Sequence, residues 1–246
     1  MIIKKNEFKA FTISSEKYYF LTINLLTSII VNKIKIDIEI YCFDHIVMEK
    51  LDFFIESNGY NQFKTTFFGH DFDDIDDFPI IGTNEFNKIM FLQLKVINKN
   101  LMENKYSLYI DGDVVVLKNF KNDLMKKIKN YHVLAQPEIN VDNPKRKELG
   151  LGFILIKSSF ITKLIFNHNF LKRNEFKFHG QALINSKRKW FKYKYLEEEL
   201  YPGGSFYFRN LENITPNIIH FNYTLGNEKI DTIRKYGYWY LENDQK

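Results

Sequence analysis

The chain has 246 residues, 45% apolar and 26% charged, with 24 Phe and 15 Tyr, which is enough apolar mass for a buried core and excludes a disordered chain. A lone cysteine, Cys42, excludes a disulfide framework. The net charge of +5 is spread in short runs such as Lys187-Arg188-Lys189, unlike the basic stripe of a nucleic-acid binder, so no nucleic-acid partner is expected. Every apolar stretch is broken before the roughly 18–20 residues of a membrane span, and MIIKKNEFKAF lacks the apolar core of a secretory signal. A cytoplasmic chain is therefore expected. In that setting the glycosylation-like Asn213-Ile214-Thr215 and Asn222-Tyr223-Thr224 carry no meaning, and Cys42, inside the apolar run Ile38–Phe43, reads as a small buried hydrophobe.

Strand and helix signals alternate along the chain. Phe8–Ser14 reads as a short strand, and Ser14 or Ser15 caps a helix carrying Leu21, Leu25 and Ile29 on one face. Ile36–Phe43 is a second strand ending at Asp44. His45–Ser57 is helical, closed by Gly59, and Phe63–Phe68 is a third strand. The acidic loop Asp71-Phe-Asp-Asp-Ile-Asp-Asp77 precedes a long helix that begins near Thr83 and carries Phe86, Ile89, Met90, Leu94, Ile97 and Leu101. The strand Tyr106–Ile110 runs into Asp111-Gly112-Asp113. His132–Pro137 and Gly152–Ile156 read as strands, Ser158–Leu171 as a helix, Asn217–Asn222 as a strand, and the tail from Lys229 as helical or turn-like. The alternation predicts an α/β fold with a mainly parallel sheet and helices on both faces. No linker or repeat interrupts it, so one domain is expected over 1–246. Its front half, about 1–117, would bind a nucleotide, and its back half, about 118–246, would form the acceptor side and close the site.

The usual phosphate loops are missing: there is no G-x-x-x-x-G-K-[ST], and Gly150-Leu-Gly152 lacks a third glycine at dinucleotide spacing. Asp111-Gly112-Asp113 follows a buried strand, at the end where open α/β sheets bind ligands. Two hard oxygen donors there can hold Mg or Mn, with ligand phosphates completing the shell. The same residues read equally well as an Asp-Gly hairpin turn between apolar strands. His220 and Asn222 are two apart on a predicted strand and so share a face; Gly226 and Lys229 follow. Imidazole suits Mn-like ions and an ammonium suits a diphosphate, although a lone strand-end His is commonly structural. The 71–77 loop reads as solvated surface, with calcium binding or a border of the acceptor site as weaker alternatives.

Several motifs in order resemble one family. They are Tyr109-Ile-Asp-Gly-Asp-Val-Val-Val-Leu-Lys-Asn, Gly150-Leu-Gly-Phe-Ile-Leu-Ile, Gln181-Ala-Leu-Ile-Asn185, Tyr201-Pro-Gly-Gly, His220-Phe-Asn-Tyr-Thr-Leu-Gly-Asn-Glu-Lys229 and Lys235-Tyr-Gly-Tyr-Trp239. Together they resemble the D-x-D nucleotide-diphospho-sugar transferases of GT-A (Rossmann-like) fold. This group is similar to plant xylosyl- and arabinosyltransferases and, more distantly, to glycogenin-like retaining transferases. Two features depart from the pattern. The acid that precedes the glutamine is replaced by His179-Gly180, and no amino-terminal membrane anchor is expected, as in the trimmed members of bacteria and large viruses.

The resemblance implies a glycosyltransferase that uses Mn or Mg and a UDP-sugar donor, acts on a glycan or other hydroxyl acceptor, and retains anomeric configuration. It implies Asp111, Asp113 and His220 as metal ligands, with Gly112 in the turn between the acids. Lys229 would neutralise the β-phosphate, and Asn222 and the Gly226 backbone would line the diphosphate. Thr12, Ser14 and Asp44 would meet the base and ribose, Lys95 would lie near the donor, and Gln181 would sit beside the anomeric carbon. A non-catalytic nucleotide-sugar-binding protein, or a metal-dependent nucleotide-sugar hydrolase, would share most of these residues.

Overall fold

A computed structural model of the chain describes residues 6–69, 84–139, 147–167, 180–224 and 226–241. The acidic loop 71–77 and the predicted cap at Thr83 lie outside these residues. In chain order the elements are β1 (Asn6–Ser14), α1 (Tyr19–Val31), β2 (Ile38–Cys42), α2 (His45–Ser57), β3 (Phe63–Phe67), α3 (Asn84–Glu103), β4 (Asn104–Ile110) and β5 (Val114–Val116). Then come α4 (Lys121–Lys127), β6 (Val133–Ile139), β7 (Lys147–Lys157), α5 (Phe160–Ile165), α6 (Gly180–Ser186), β8 (Tyr193–Tyr195), α7 (Gly204–Arg209), β9 (Ile218–His220) and α8 (Gly226–Lys235).

Seven strands form a mostly parallel sheet in the order β3-β2-β1-β4-β7-β6-β8, with β5 and β9 in a separate two-stranded sheet. In the large sheet β2 runs parallel to β3 and β6 parallel to β8, while β6 and β7 are antiparallel. β4 is buried at all but one of its positions, the pattern of a strand covered on both faces. The α/β expectation is thus met. The hairpin alternative for Asp111-Gly112-Asp113 is not: β4 and β5 belong to different sheets, and the turn, closed by Val114 N–H donating to the Asp111 carbonyl at 3.1 Å, hands the chain from one sheet to the other.

Contacts divide the chain into two interleaved units. One comprises Met1–Ala10, Pro79–Tyr109 and Asn122–Leu196; the other comprises Phe11–Phe78, Ile110–Lys121 and Glu197–Lys246. In the first, the buried residues Leu94, Ile97 and Leu101 of α3 realise the predicted helical stripe, to which buried Phe91, Leu92 and Val96 add a second face. In the second, Asp44 caps α2 by accepting from Val47 N–H at 2.6 Å, and Gly59 ends it at φ +67°, a conformation that favours glycine. Leu21, Val115, Tyr207, Ile219, Phe221 and Ile233 form a core cluster in this second unit. Gly237 (φ +75°) turns the chain out of α8. Buried Asn24 then clamps the tail, donating to the Tyr238 carbonyl at 3.1 Å and accepting from Tyr240 N–H at 2.8 Å. Cys42 is fully buried, and burial first, then the charges of Asp52 and Asp44, push its thiol up to about 12, consistent with an inert side chain.

Some boundaries differ from the sequence reading. The strand predicted over Asn217–Asn222 stops at His220, so Asn222 lies in the following turn and shares no strand face with His220. Its Oδ1 instead accepts from Gly204 N–H at the start of α7 (3.0 Å). Ser15 stands at the N-cap of the 3₁₀ turn Glu16–Tyr18 without a side-chain cap, because the turn intervenes before α1. β5, α4, β8 and α7 are too short to carry a readable period.

Candidate metal and donor site

The pairing of β5 with β9 builds the site. Its register sets Val114 opposite His220, and Phe221 N–H donates to the Asp113 carbonyl at 3.1 Å. The turn then returns Asp111 to the same place. The ligand atoms of Asp111, Asp113 and His220 lie within 4.8 Å of one another. His220 Nε2 is 3.2 Å from Asp113 Oδ1 and 3.5 Å from Asp111 Oδ2, while the Lys229 ammonium, from the first turns of α8, pairs with Asp113 Oδ2. Asp113 and His220 are buried and Asp111 is about one-third exposed (35%), so the cluster has a closed side and an open side.

The electrostatics follow from this arrangement. Burial alone would raise the Asp113 carboxyl, but the Lys229 ammonium and His220 outweigh it and hold the group well below the usual carboxylate range. Burial would likewise lower His220, and the charge of Asp113, with hydrogen bonds to both carboxylates, overcomes it and pushes the imidazole up to about 10. Tyr18 is held well above its ordinary value by burial first and then by Asp113 and Asp111, so its phenol stays neutral beside the acids. Two carboxylates and an imidazole form a donor set suited to Mg- or Mn-type ions, and the cluster already concentrates cationic partners on Asp113, so these residues fit a divalent cation.

The expected donor residues are distributed as follows. Gly112 lies against α1, where an added Cβ would be 3.2 Å from Thr22 Oγ1; that hydroxyl bonds Ser14 Oγ at 2.8 Å. Ser14 and Thr12 are buried; the Ser14 hydroxyl ties β1 to α1, while Thr12 Oγ1 donates to the neighbouring Ile13 carbonyl at 3.5 Å. The Asp44 carboxylate is occupied by Val47 N–H and by Glu16 N–H at 3.1 Å. Gly226 opens α8. Thr12, Ser14, Asp44, Gly112, Asn222, Gly226 and Lys229 share the second unit with the metal cluster; Lys95, half-buried on α3, and Gln181 belong to the first.

In that first unit Gln181 is held firmly. Its Nε2 donates to Glu138 Oε2 (2.7 Å) and its Oε1 accepts from Leu151 N–H (3.3 Å). One turn later Asn185 brackets Leu149, accepting from its N–H at 2.8 Å and donating to its carbonyl at 3.0 Å. Gly150 lies between these two leucines, and a Cβ there would come within 2.8 Å of Glu138 Oε1, so that the Glu138 side chain would have to shift. Sequence reasoning missed Tyr18, Thr22 and Glu138. None lies in a motif.

The fold matches that of solved GT-A glycosyltransferases. Among solved structures the chain is similar to the galactosyltransferase LgtC (TM-score 0.60, 12% identity, 87% of each chain covered). It is also similar to the glycosyltransferase GlyE of Streptococcus pneumoniae (TM-score 0.59, 12% identity, 97% of this chain and 61% of that one) and to mouse xyloside xylosyltransferase 1 (TM-score 0.56, 11% identity, 88% and 98%). In sequence, 66 residues, a quarter of the chain (25%), are 38% identical to the UDP-galactose:fucoside alpha-3-galactosyltransferase of Dictyostelium discoideum, and the match spans 10% of that protein. No family model matches. Among the described residues no helix is long and apolar enough to cross a membrane.

Proposed function

We propose that the chain is a metal-dependent glycosyltransferase that moves a sugar from a UDP-linked donor to a glycan or other hydroxyl acceptor with retention of configuration. The observation that carries this reading is the convergence of Asp111, Asp113 and His220, with Lys229 alongside, in a GT-A fold. Asp111, Asp113 and His220 Nε2 would hold Mn or Mg. The bound ion would act as a Lewis acid toward the diphosphate leaving group. Lys229 would neutralise charge growing on the β-phosphate, an interaction that matters most in the transition state. Asn222, the Gly226 backbone and the Gly112 turn would border the diphosphate, and Asp44 with the backbone end of β1 would border the nucleoside. The resemblance assigns Lys95 to the donor and Gln181 to the transferred sugar.

Retention is supported by what surrounds Gln181. An amide is a poor base and a poor nucleophile, but its carbonyl oxygen can face a developing positive charge. The neighbouring carboxylate, Glu138, already accepts from that amide. Proton transfer from the acceptor to the leaving diphosphate on the same face then needs no protein base.

The test is a panel of UDP-sugars screened by thermal shift with and without Mn, because a ligand that binds the native state raises the midpoint. UDP-galactose comes first, given the named activity of the Dictyostelium relative. Proton NMR of the first product from an α-linked donor should show an α-anomer; a β-anomer would overturn retention. UDP binding without turnover would mark a nucleotide-sugar-binding protein, and sugar release at one rate with or without acceptor would mark a hydrolase.

A further inference from the structure

We propose that Lys229 is a built-in stand-in for the divalent cation, and that it makes the cation–nucleotide complex, not the free cation, the species this site takes up. The inference rests on the reading of Asp111, Asp113 and His220 as metal ligands.

Both oxygens of Asp113 are engaged, Oδ1 by His220 Nε2 at 3.2 Å and Oδ2 by the Lys229 ammonium. An ion held by Asp113 and His220 together takes the place of the proton between Oδ1 and Nε2, because His220 is set in β9 opposite Val114, and it then meets the positive charge of Lys229 on Oδ2. Lys229 stands on a flexible four-carbon stem and can leave while α8 stays anchored through fully buried Ile233. The Lys229 side chain is only 11% exposed, so a displaced ammonium is left in a largely dry place without a counter-charge, which is costly.

Charge balance decides what relieves that cost. A divalent ion neutralises the two carboxylates of Asp111 and Asp113 and leaves the positive charge of Lys229 over. A diphosphate arriving with the ion supplies the missing negative charge, and Lys229 exchanges one oxyanion, Asp113, for another. Free cation has no such exchange and must work against the lysine. Lys229 therefore weakens binding of the cation alone and strengthens binding of the cation with UDP, so the two ligands are coupled through one side chain.

The test measures binding, not turnover. Mn alone, and then UDP at saturating Mn, are titrated into wild type and Lys229→Met by calorimetry, with free Mn followed by its paramagnetic resonance signal. The expected result is Mn binding at least tenfold tighter in Lys229→Met and UDP binding at least tenfold weaker. Lys229→Arg keeps a cation on Asp113 and should leave Mn alone binding as weakly as wild type, which guards against a methionine variant that folds poorly. Mn affinity unchanged or weakened in Lys229→Met, with Asp113→Asn still abolishing it, overturns the stand-in and leaves the metal site. Mn affinity indifferent to Asp113→Asn overturns the metal site, and the stand-in with it.

Discussion

Gly180 occupies the place where the resembling family carries an acid, and packing leaves no room for one. A Cβ added at Gly180 would lie 2.9 Å from the carbonyl oxygen of Met90, 3.2 Å from its carbonyl carbon and 3.3 Å from Leu94 Cδ1. Ordinary carbon–oxygen contacts start near about 3.3 Å. Gly180→Ala therefore forces α6 and α3 apart by roughly half an ångström, and because the obstacle is backbone, no rotamer relieves it. Overpacking of this kind costs about 1–3 kcal/mol. The gain from replacing glycine in a helix is at most about 1 kcal/mol, and less at a first helical residue. The net expectation is a loss of about 1–2 kcal/mol, a fall in Tm of roughly 2–8 °C at this chain length. Gly180→Asp should fall at least as far. Met90→Ala should not rescue either variant, since it leaves the clashing carbonyl in place. Differential scanning calorimetry reads the effect, and a Tm equal to or above wild type in Gly180→Ala would refute the close approach.

Three further outcomes follow from the geometry. Asp113→Asn, which keeps the shape but removes the charge shared by His220 and Lys229, should cut UDP affinity in Mn at least tenfold with an unchanged circular dichroism spectrum; wild-type affinity would remove Asp113 from the metal site. His220, raised to about 10, contributes metal-free stability that is complete below its ordinary 6.5 and is lost as pH rises through about 10, whereas lowered Asp113 contributes above its ordinary 3.8 and loses that contribution as pH falls far below it. A bound ion must displace the His220 proton, so Mn affinity should climb up to tenfold per pH unit between about 6.5 and 8, with proton release seen as a buffer-dependent calorimetric heat; a flat profile would contradict the protonated state. Asn185→Ala strands the buried N–H and carbonyl of Leu149 and should cost about 2–4 kcal/mol by urea denaturation, a loss far beyond that of an exposed amide.

The legible parts of the sequence were those written in periodic or capped segments. The helix predicted over His45–Ser57 and closed by Gly59 is returned unchanged, and the structure adds Asp44 as its N-cap. The convergence of Asp111, Asp113 and His220 was legible only through order along the chain; spacing alone left the hairpin turn as good a reading. What resolved it is a three-residue strand, Val114–Val116, whose pairing with Ile218–His220 joins segments about a hundred residues apart. No local pattern encodes such a pairing, because three residues carry no period and the partner is remote. The ion pair of Lys229 with Asp113 was hidden for the same reason: the sequence offered a lysine for a diphosphate and gave no sign that it would already hold a carboxylate.

The glutamine segment shows how a spacing acquires its meaning from two elements at once. Gln181 and Asn185 are four apart on α6 and so lie on one face, separated by about 6 Å along the axis. Leu149 and Leu151, the residues they bond, are two apart on β7, separated by roughly 6.6 Å. The match lets one helix face address successive backbone groups of one strand edge, beside the shift in β6–β7 register between Ala135 and Pro137. Gln93 of α3 adds a third amide there, donating to the Leu151 carbonyl at 3.3 Å. The irregular strand is thus satisfied by side-chain amides where a regular ladder would have used a neighbouring strand. A side chain at 150 would have to push Glu138 aside, and glycine is required at 180 by the Met90 backbone. With position 180 closed to any side chain, the carboxylate that touches Gln181 comes from Glu138 on β6. The amide of Gln181 thus has its carboxylate partner on β6.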